Sequence, residues 1–293
     1  MDEPTSFPPH HLFHHEAMKT TFYLRICTDD VALANSLACE CFYRIDELEQ
    51  KLSRYFEGGD VYRINNMAAG ETLHISEECH ECLLIAMEAS VHTGGLFDPT
   101  LGTMIEHRKT GQDGGLPEPT GQLIVHPDTP AVTCHAPGRV IDLGGIGKGY
   151  ALDQLKVILT GWEIDGALVS AGSSTHLAIG RPSWPIDLSG DRDTLRIHLH
   201  DEALSASGTA IQGSHIVHPD RARDIQENQP TRIWSRSASA AHSDAWSTAL
   251  MLMAPEDIEA APAAEVMLNA VHLEDNDGFH TVGPLNPPQS PAG

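Results

Sequence analysis

The chain has 293 residues, of which 41% are hydrophobic and 20% charged, and its formal net charge is −23 at pH 7. That length suits one large domain or two small ones, with enough apolar side chains for a core. A field this negative repels nucleic acid and anionic lipid, which excludes both as principal partners. An anionic ligand would need backbone N–H groups, a metal or a few cations close by.

The opening residues, MDEPTSFPPHHLFHHEA, read as a loose lead over 1–17 in which the pairs His10-His11 and His14-His15 are solvated. They hold no apolar run that could be an export-signal core, no lipid-attachment cysteine follows such a run, and no span long enough for a membrane is seen. A cytoplasmic protein is the expectation, or a periplasmic one if a leader has been removed. Cys27, Cys39, Cys41, Cys79, Cys82 and Cys134 are too sparse and irregular for a disulfide framework.

TTFYLRIC, from Thr20 to Cys27, reads as a strand. Asp29 or Asp30 then caps a long helix in which Val31, Ala34, Ala38, Cys41, Ile45, Leu48 and Leu52 share one face. SRYFEGGDVYRINN, residues 53–66, is a polar turn region able to present Tyr55 and Asn65. Ser76 starts a second helix with acids in its first turn. Cys79 and Cys82 on that helix form a lone C-x-x-C, which without a second pair or a strand context points to packing rather than zinc or redox chemistry. GGLFDPTLG, residues 94–102, breaks that helix and starts the next, and 110–121 reads as an exposed connection. A strand over 139–143 leads into a glycine-rich turn, a helix over 148–159 and a buried strand over 167–170.

Beyond residue 175 the pattern shifts to short strands: THLAIG, WPIDL, TLRIHLH, ALSAS and SHIV. Residues 220–232 read as a loop. Ser243 or Asp244 caps a helix running to Leu252, a short helix spans 255–261, and 266–282 form a hairpin turning at Asn276-Asp277-Gly278. The segment 284–293, PLNPPQSPAG, reads as a loose tail. Helices and strands mix without a regular βαβ rhythm. The expected class is α+β, with mixed or antiparallel sheets and packed helices in one domain over 18–283.

Three features could carry chemistry. In IDLGGIGKGYALD, Ile141 to Asp153, four glycines stand between a strand and a helix start, where free N–H groups and the helix dipole favour phosphate. The spacing fits neither a dinucleotide-binding fingerprint nor a P-loop, so tight packing explains the glycines equally well. Asp244 and Thr248 stand four apart on one helix face and could offer two oxygens to a hard cation; equally, Asp244 could be a first-turn acid and Thr248 a packing residue. His215, in SHIVHP, could act as a base near neutral pH, although composition does not single it out from 18 histidines.

These pieces occur in an order that resembles the ApbE family of FAD:protein FMN transferases. The matching stretches are MKTTFYLRI, LSRYFEGGDVYRIN, TGGLFDPTLG, IDLGGIGKGYALD, ALVSAGSSTHLAIG, SASG, SHIVHP and SDAWSTAL, from Met18 to about residue 253. The resemblance implies an ApbE-like, T-fold-like architecture and an enzyme that binds FAD and Mg²⁺, transfers FMN to a Thr or Ser hydroxyl of a target flavoprotein, and releases AMP. It implies flavin or FAD contacts at Met18, Tyr55, Leu96, Phe97, Asp98, Asp142, Lys148 and Ile216. It implies metal ligands at Gly145 (through its carbonyl), Asp244 and Thr248, and an acceptor-activating base at His215. The chain departs from the family pattern at Lys19, where Gly is frequent, at His218, where an acid is usual, and at Ser247, where some members carry a second acid. Two other readings use the same residues: an FAD pyrophosphohydrolase yielding FMN and AMP, and a flavin-binding protein without catalysis.

Overall fold

The computed structural model describes residues 6–111, 115–191, 193–208, 217–220, 230–264, 267–275 and 278–283. In chain order the elements are β1 (His11–Ala17), β2 (Thr20–Cys27), α1 (Val31–Leu52), α2 (Asp60–Asn65), β3 (Thr72–His74), α3 (Glu77–His92), α4 (Gly102–Lys109), β4 (Gln122–Val125) and β5 (Ala131–Ala136). There follow α5 (Gly147–Thr160), β6 (Gly166–Ala171), β7 (Thr175–Gly180), β8 (Trp184–Ser189), β9 (Thr194–Leu199) and β10 (Ala203–Gly208). The last are β11 (Arg232–Ser237), α6 (Ala240–Leu250), α7 (Pro255–Ala264), β12 (Ala270–Asp275) and β13 (Gly278–Val282).

An eight-stranded sheet in the order β1-β2-β6-β7-β10-β11-β12-β13 forms the centre, and all its pairings are antiparallel. Its strands serve two cores because side chains alternate faces. In β6 and β7, Ala167, Val169, Leu177 and Ile179 face the main core under the helices. Leu168 and Ala178, between them in sequence, face a second core completed by Trp184, Leu188 and Leu199 of the β8–β9 hairpin. The central strands are therefore buried on both faces and read as apolar runs rather than alternations. Over the main face lie α5 and α6, with α1 and α3 packed against them. A smaller sheet, β3-β5-β4, stands beside this assembly.

Helix α1 follows its apolar stripe closely. Asp30 caps it by accepting the N–H groups of Ala32 and Leu33, and Ala34, Ala38, Cys41, Ile45, Leu48 and Leu52 are buried, joined by Leu37, while Val31 is exposed. Ser76 caps α3 as expected. Cys79 and Cys82 are buried free thiols, and burial raises both pKa values, which suits packing and not redox chemistry.

Four expectations are corrected. The lead is not loose throughout, because residues 11–17 pair with β2 from His11↔Ile26 to Ala17↔Thr20. Its period-2 pattern turns Phe13 and His15 inward, where His15 stacks on Phe42 and bonds Asp46 at 2.7 Å, while Phe7 meets Trp184 edge-on. Residues 139–143 make no strand: their backbone bonds instead to the Asn65 side chain, to the Pro99 carbonyl and to the Gly102 N–H. Arg232 opens a buried strand, β11, where a loop was expected to end. Finally, Ser239 caps α6, so Asp244 lies in its middle rather than in its first turn. The expected tail over 284–293, residues 276 and 277 of the last turn, and SHI of the SHIV strand lie outside the described residues.

Two histidines fold neutral. Burial lowers His176, which bonds Ser170, to a pKa of about 4, and burial with the nearby Arg236 lowers His272 to about 4. An unfolded histidine takes up its proton near pH ~6.5. Between these limits the unfolded chain binds more protons than the folded one, so stability falls as the pH drops from 6.5 towards 4. We expect the melting temperature to decline across that window and the decline to be shallower in His272→Asn; an identical pH profile in that variant would contradict this account.

Candidate active site

The glycine-rich segment is built around one close approach. A Cβ on Gly149 would lie 2.1 Å from the Ala240 carbonyl oxygen, so only glycine lets α5 meet the start of α6 here. One turn later on the same face, Asp153 accepts the N–H groups of Ala240 (2.8 Å) and Ala241 (2.9 Å) and the Ser239 hydroxyl (2.7 Å). These are N–H groups that a helix start cannot satisfy internally. Burial raises the Asp153 pKa, opposed by those hydrogen bonds. Gly149 and Asp153 thus dock α6 jointly.

That docking fixes Asp244. Its Oδ2 lies 3.3 Å from the Gly149 N–H and 3.7 Å from Lys148 Nζ, and its Oδ1 accepts the Ser205 hydroxyl at 3.1 Å. Lys148 also reaches the Gly144 carbonyl at 3.2 Å. The Asp244 carboxylate is 7% exposed, and Thr248 stands one turn further along the same face. Gly145 faces Thr248 so closely that a Cβ there would sit 3.3 Å from the Thr248 hydroxyl and 3.2 Å from the Phe97 ring.

A second cluster closes the opposite wall. The Arg54 guanidinium is 9% exposed and joins three segments: its Nε lies 3.0 Å from Asp142 Oδ2, its Nη1 donates to the Gly102 carbonyl at 3.0 Å, and its Nη2 donates to the Tyr55 hydroxyl at 2.7 Å and to Glu106. Asp142 also accepts the Gly144 N–H at 2.8 Å. Asp98 folds back on its own loop, accepting from the Thr100 N–H and hydroxyl, and pairs with Arg139 at 3.6 Å.

Between these walls lies a cleft of two adjoining lobes. The larger, about 550 Å³, is lined by Leu96, Phe97, Asp98, Gly145, Asp244 and Thr248 among others. The smaller, about 180 Å³, is lined by Tyr55 and Arg54. Met18, Asp142 and Lys148 border both. Met18, Tyr55, Leu96, Phe97, Asp98, Asp142, Gly145, Lys148, Asp244 and Thr248 therefore line one cleft, whereas Asn65 is turned to the Ile141 backbone. His215 and Ile216 lie outside the described residues, while Val217 lines the larger lobe. Sequence reasoning missed Arg54, Ser205, Lys109 and the docking role of Asp153. Of these only Asp153 left a sequence signal, its spacing of four from Gly149.

The oxygens gathered near Asp244 are hard donors: one carboxylate, the Thr248 hydroxyl and the backbone at Gly145. No group of three His, Cys, Asp or Glu side chains able to hold a metal occurs among the described residues. A cation that takes few carboxylates and completes its shell with water and phosphate, as Mg²⁺ does, fits this donor set.

The sequence profile of the ApbE family matches residues 18–270. The chain belongs to the ApbE family. The FAD:protein FMN transferase of Salmonella typhimurium is 22% identical over 310 residues, covering 94% of this chain and 88% of that protein. The one from Rhodobacter capsulatus is 28% identical over 254 residues, covering 75% and 47%. Among solved structures, the flavin transferase ApbE of Vibrio cholerae shares the fold with a TM-score of 0.80 at 22% identity, covering 93% of this chain and 97% of that one. The ApbE protein of Thermotoga maritima gives 0.79 at 22% identity, covering 94% and 97%. No helix among the described residues of this ApbE-family chain is long and apolar enough to cross a membrane.

The Gly149 contact yields a direct test. Gly149→Ala should force α5 away from α6 and cost roughly 1–3 kcal/mol of stability, the range for overpacking a closed interface. Urea unfolding measures it, and a midpoint equal to that of the unaltered protein would show that the approach is not constrained.

Proposed function

We propose that this chain is an FAD:protein FMN transferase that uses Mg²⁺ to move FMN from FAD to a Thr or Ser hydroxyl of a flavoprotein, releasing AMP. The observation that carries this reading is the cleft itself. Residues from the β1–β2 turn, the loop after α1, the GGLFDPTLG segment, the glycine-rich turn and α6 converge there, with an oxygen donor set at one side. The names of the relatives support the same reading.

Phosphoryl transfer asks a protein mainly for positioning and for neutralisation of phosphate charge. Asp244, Thr248 and the Gly145 carbonyl would hold Mg²⁺, which when bound supplies charge neutralisation to the diphosphate. Lys148, already beside Asp244, places an ammonium at the same spot. Phe97, 5% exposed, and Leu96 give an apolar wall for a ring system in the larger lobe, and Tyr55, held by Arg54 and faced by the Lys19 ammonium, borders the smaller lobe. In the chemical step the acceptor hydroxyl oxygen attacks the phosphorus on the FMN side. The bond from that phosphorus to the bridging oxygen breaks, AMP departs with the electron pair, and His215 takes the hydroxyl proton.

Asp244→Asn keeps the side-chain shape and removes the charge. With FAD, Mg²⁺ and a flavoprotein acceptor, it should lower both AMP release and covalent flavin on the acceptor by ~100-fold or more; full activity would refute the metal assignment. AMP appearing equally fast without an acceptor would mean hydrolysis instead of transfer. His215→Ala should leave FAD affinity unchanged, measured by flavin fluorescence, and slow transfer by about 100-fold. Lost FAD binding in that variant would make His215 a binding residue rather than the base.

A further inference from the structure

The neck between the two lobes is bordered on both sides by Met18, Lys19, Lys109, Asp142, Gly144 and Lys148. Its charges are not equivalent. Asp142 is engaged by Arg54 and by the Gly144 N–H, and Lys148 by Asp244 and the Gly144 carbonyl. The lysine ion pairs among the described residues are those of Lys51, Lys148 and Lys156, and none involves Lys19 or Lys109. In a chain with 41 acidic and 18 basic residues, two ammonium groups in one cleft with no acidic partner among the described residues are a local reversal of the overall field.

Lys19 also stands on an unusual backbone. It and Met18 are the two central residues of the β1–β2 turn, with φ of 59° and 50°. That left-handed conformation suits glycine and is costly for a long side chain. The Lys19 Nζ lies 4.3 Å from the centroid of the Tyr55 ring, which is half exposed in the smaller lobe. The strained turn thus sends an ammonium across the neck, where glycine would send nothing. Strain of this kind persists where its surroundings hold it, and it is concentrated at ligand sites.

We propose that Lys19 is a substrate-binding, specificity-determining residue. Its unneutralised ammonium, assisted by Lys109, reads the diphosphate that joins the two halves of FAD, so the cleft selects a dinucleotide over a flavin without phosphate. The inference rests on the FAD reading above. Two flat ring systems joined by a diphosphate match two lobes joined by a cationic neck.

Titration of the Mg²⁺-loaded protein with FAD and with riboflavin, followed by flavin fluorescence, tests it without reference to turnover. Lys19→Met should weaken FAD binding about fivefold at low ionic strength, the scale of an exposed ion pair, and leave riboflavin binding within twofold. The difference for FAD should shrink in about 0.5 M NaCl through screening. Lys19→Arg should retain affinity. Lys19→Gly should lose FAD affinity like Lys19→Met yet melt higher than the unaltered protein, because it removes the strain together with the charge. Unchanged FAD affinity in Lys19→Met, or equal losses for FAD and riboflavin, would overturn the assignment, as would a lower melting temperature in Lys19→Gly. Failure of the unaltered protein to bind FAD would instead overturn the transferase reading.

Discussion

The contact between α5 and the start of α6 is the constraint on which the site depends. Gly149 removes the side chain that would keep the helices apart, and Asp153 accepts the N–H groups that α6 presents at its beginning. The two residues stand on one face of α5, so a single helix supplies both the space and the bond. From that junction the position of Asp244 follows, since its carboxylate is held by the Gly149 N–H and the Ser205 hydroxyl. Thr248 follows from Asp244 by one helical turn. A segment that could have been mere packing is thus packing that places a carboxylate.

The cleft's electrostatics show how an acidic protein can receive an anionic molecule. Most charges at the cleft are committed. Arg54 is spent on Asp142 and Glu106, Arg139 on Asp98, and Lys148 on Asp244. These pairs fix loop geometry rather than draw a ligand. Arg54 ties its own loop to α4, through Gly102 and Glu106, and to the glycine-rich segment, through Asp142. Lys19 and Lys109, which border the neck between the lobes, take part in no such pair among the described residues.

Much of this was legible in the sequence. The stripe on α1 apart from Val31, its cap at one of two adjacent aspartates, the Ser76 cap of α3 and the buried C-x-x-C were legible because they rest on local periodicity and on bonds between near neighbours. Less was legible where partners are remote. The stretch over 139–143 has strand-like residues, but its backbone partners include an asparagine side chain 76 positions away, the Pro99 carbonyl and the N–H that opens α4. The His-rich lead lacks an apolar run, yet residues 11–17 gain an edge pairing with β2 that propensity alone does not reveal. The start of α6 was placed late because Ser243 and Asp244 are both good capping types, whereas the bond that caps the helix comes from Ser239.

By itself the sequence determined the family, the α+β class and the set of residues able to do chemistry, because motif order and residue type survive without coordinates. It left open whether the glycines of Ile141–Asp153 mark a ligand cradle or close packing, and whether Asp244 is a first-turn acid or a site residue. The tertiary structure shows where these residues sit: Gly149 at a close helix contact, and Asp244 buried in mid-helix. The decisive facts are a 2.1 Å approach at Gly149, a carboxylate buried mid-helix facing Thr248 and Gly145, and a lysine held in a left-handed turn. The first two are relations between elements far apart in the chain, which only the packed sheet and helices bring together; the third is a local backbone conformation set by a two-residue turn.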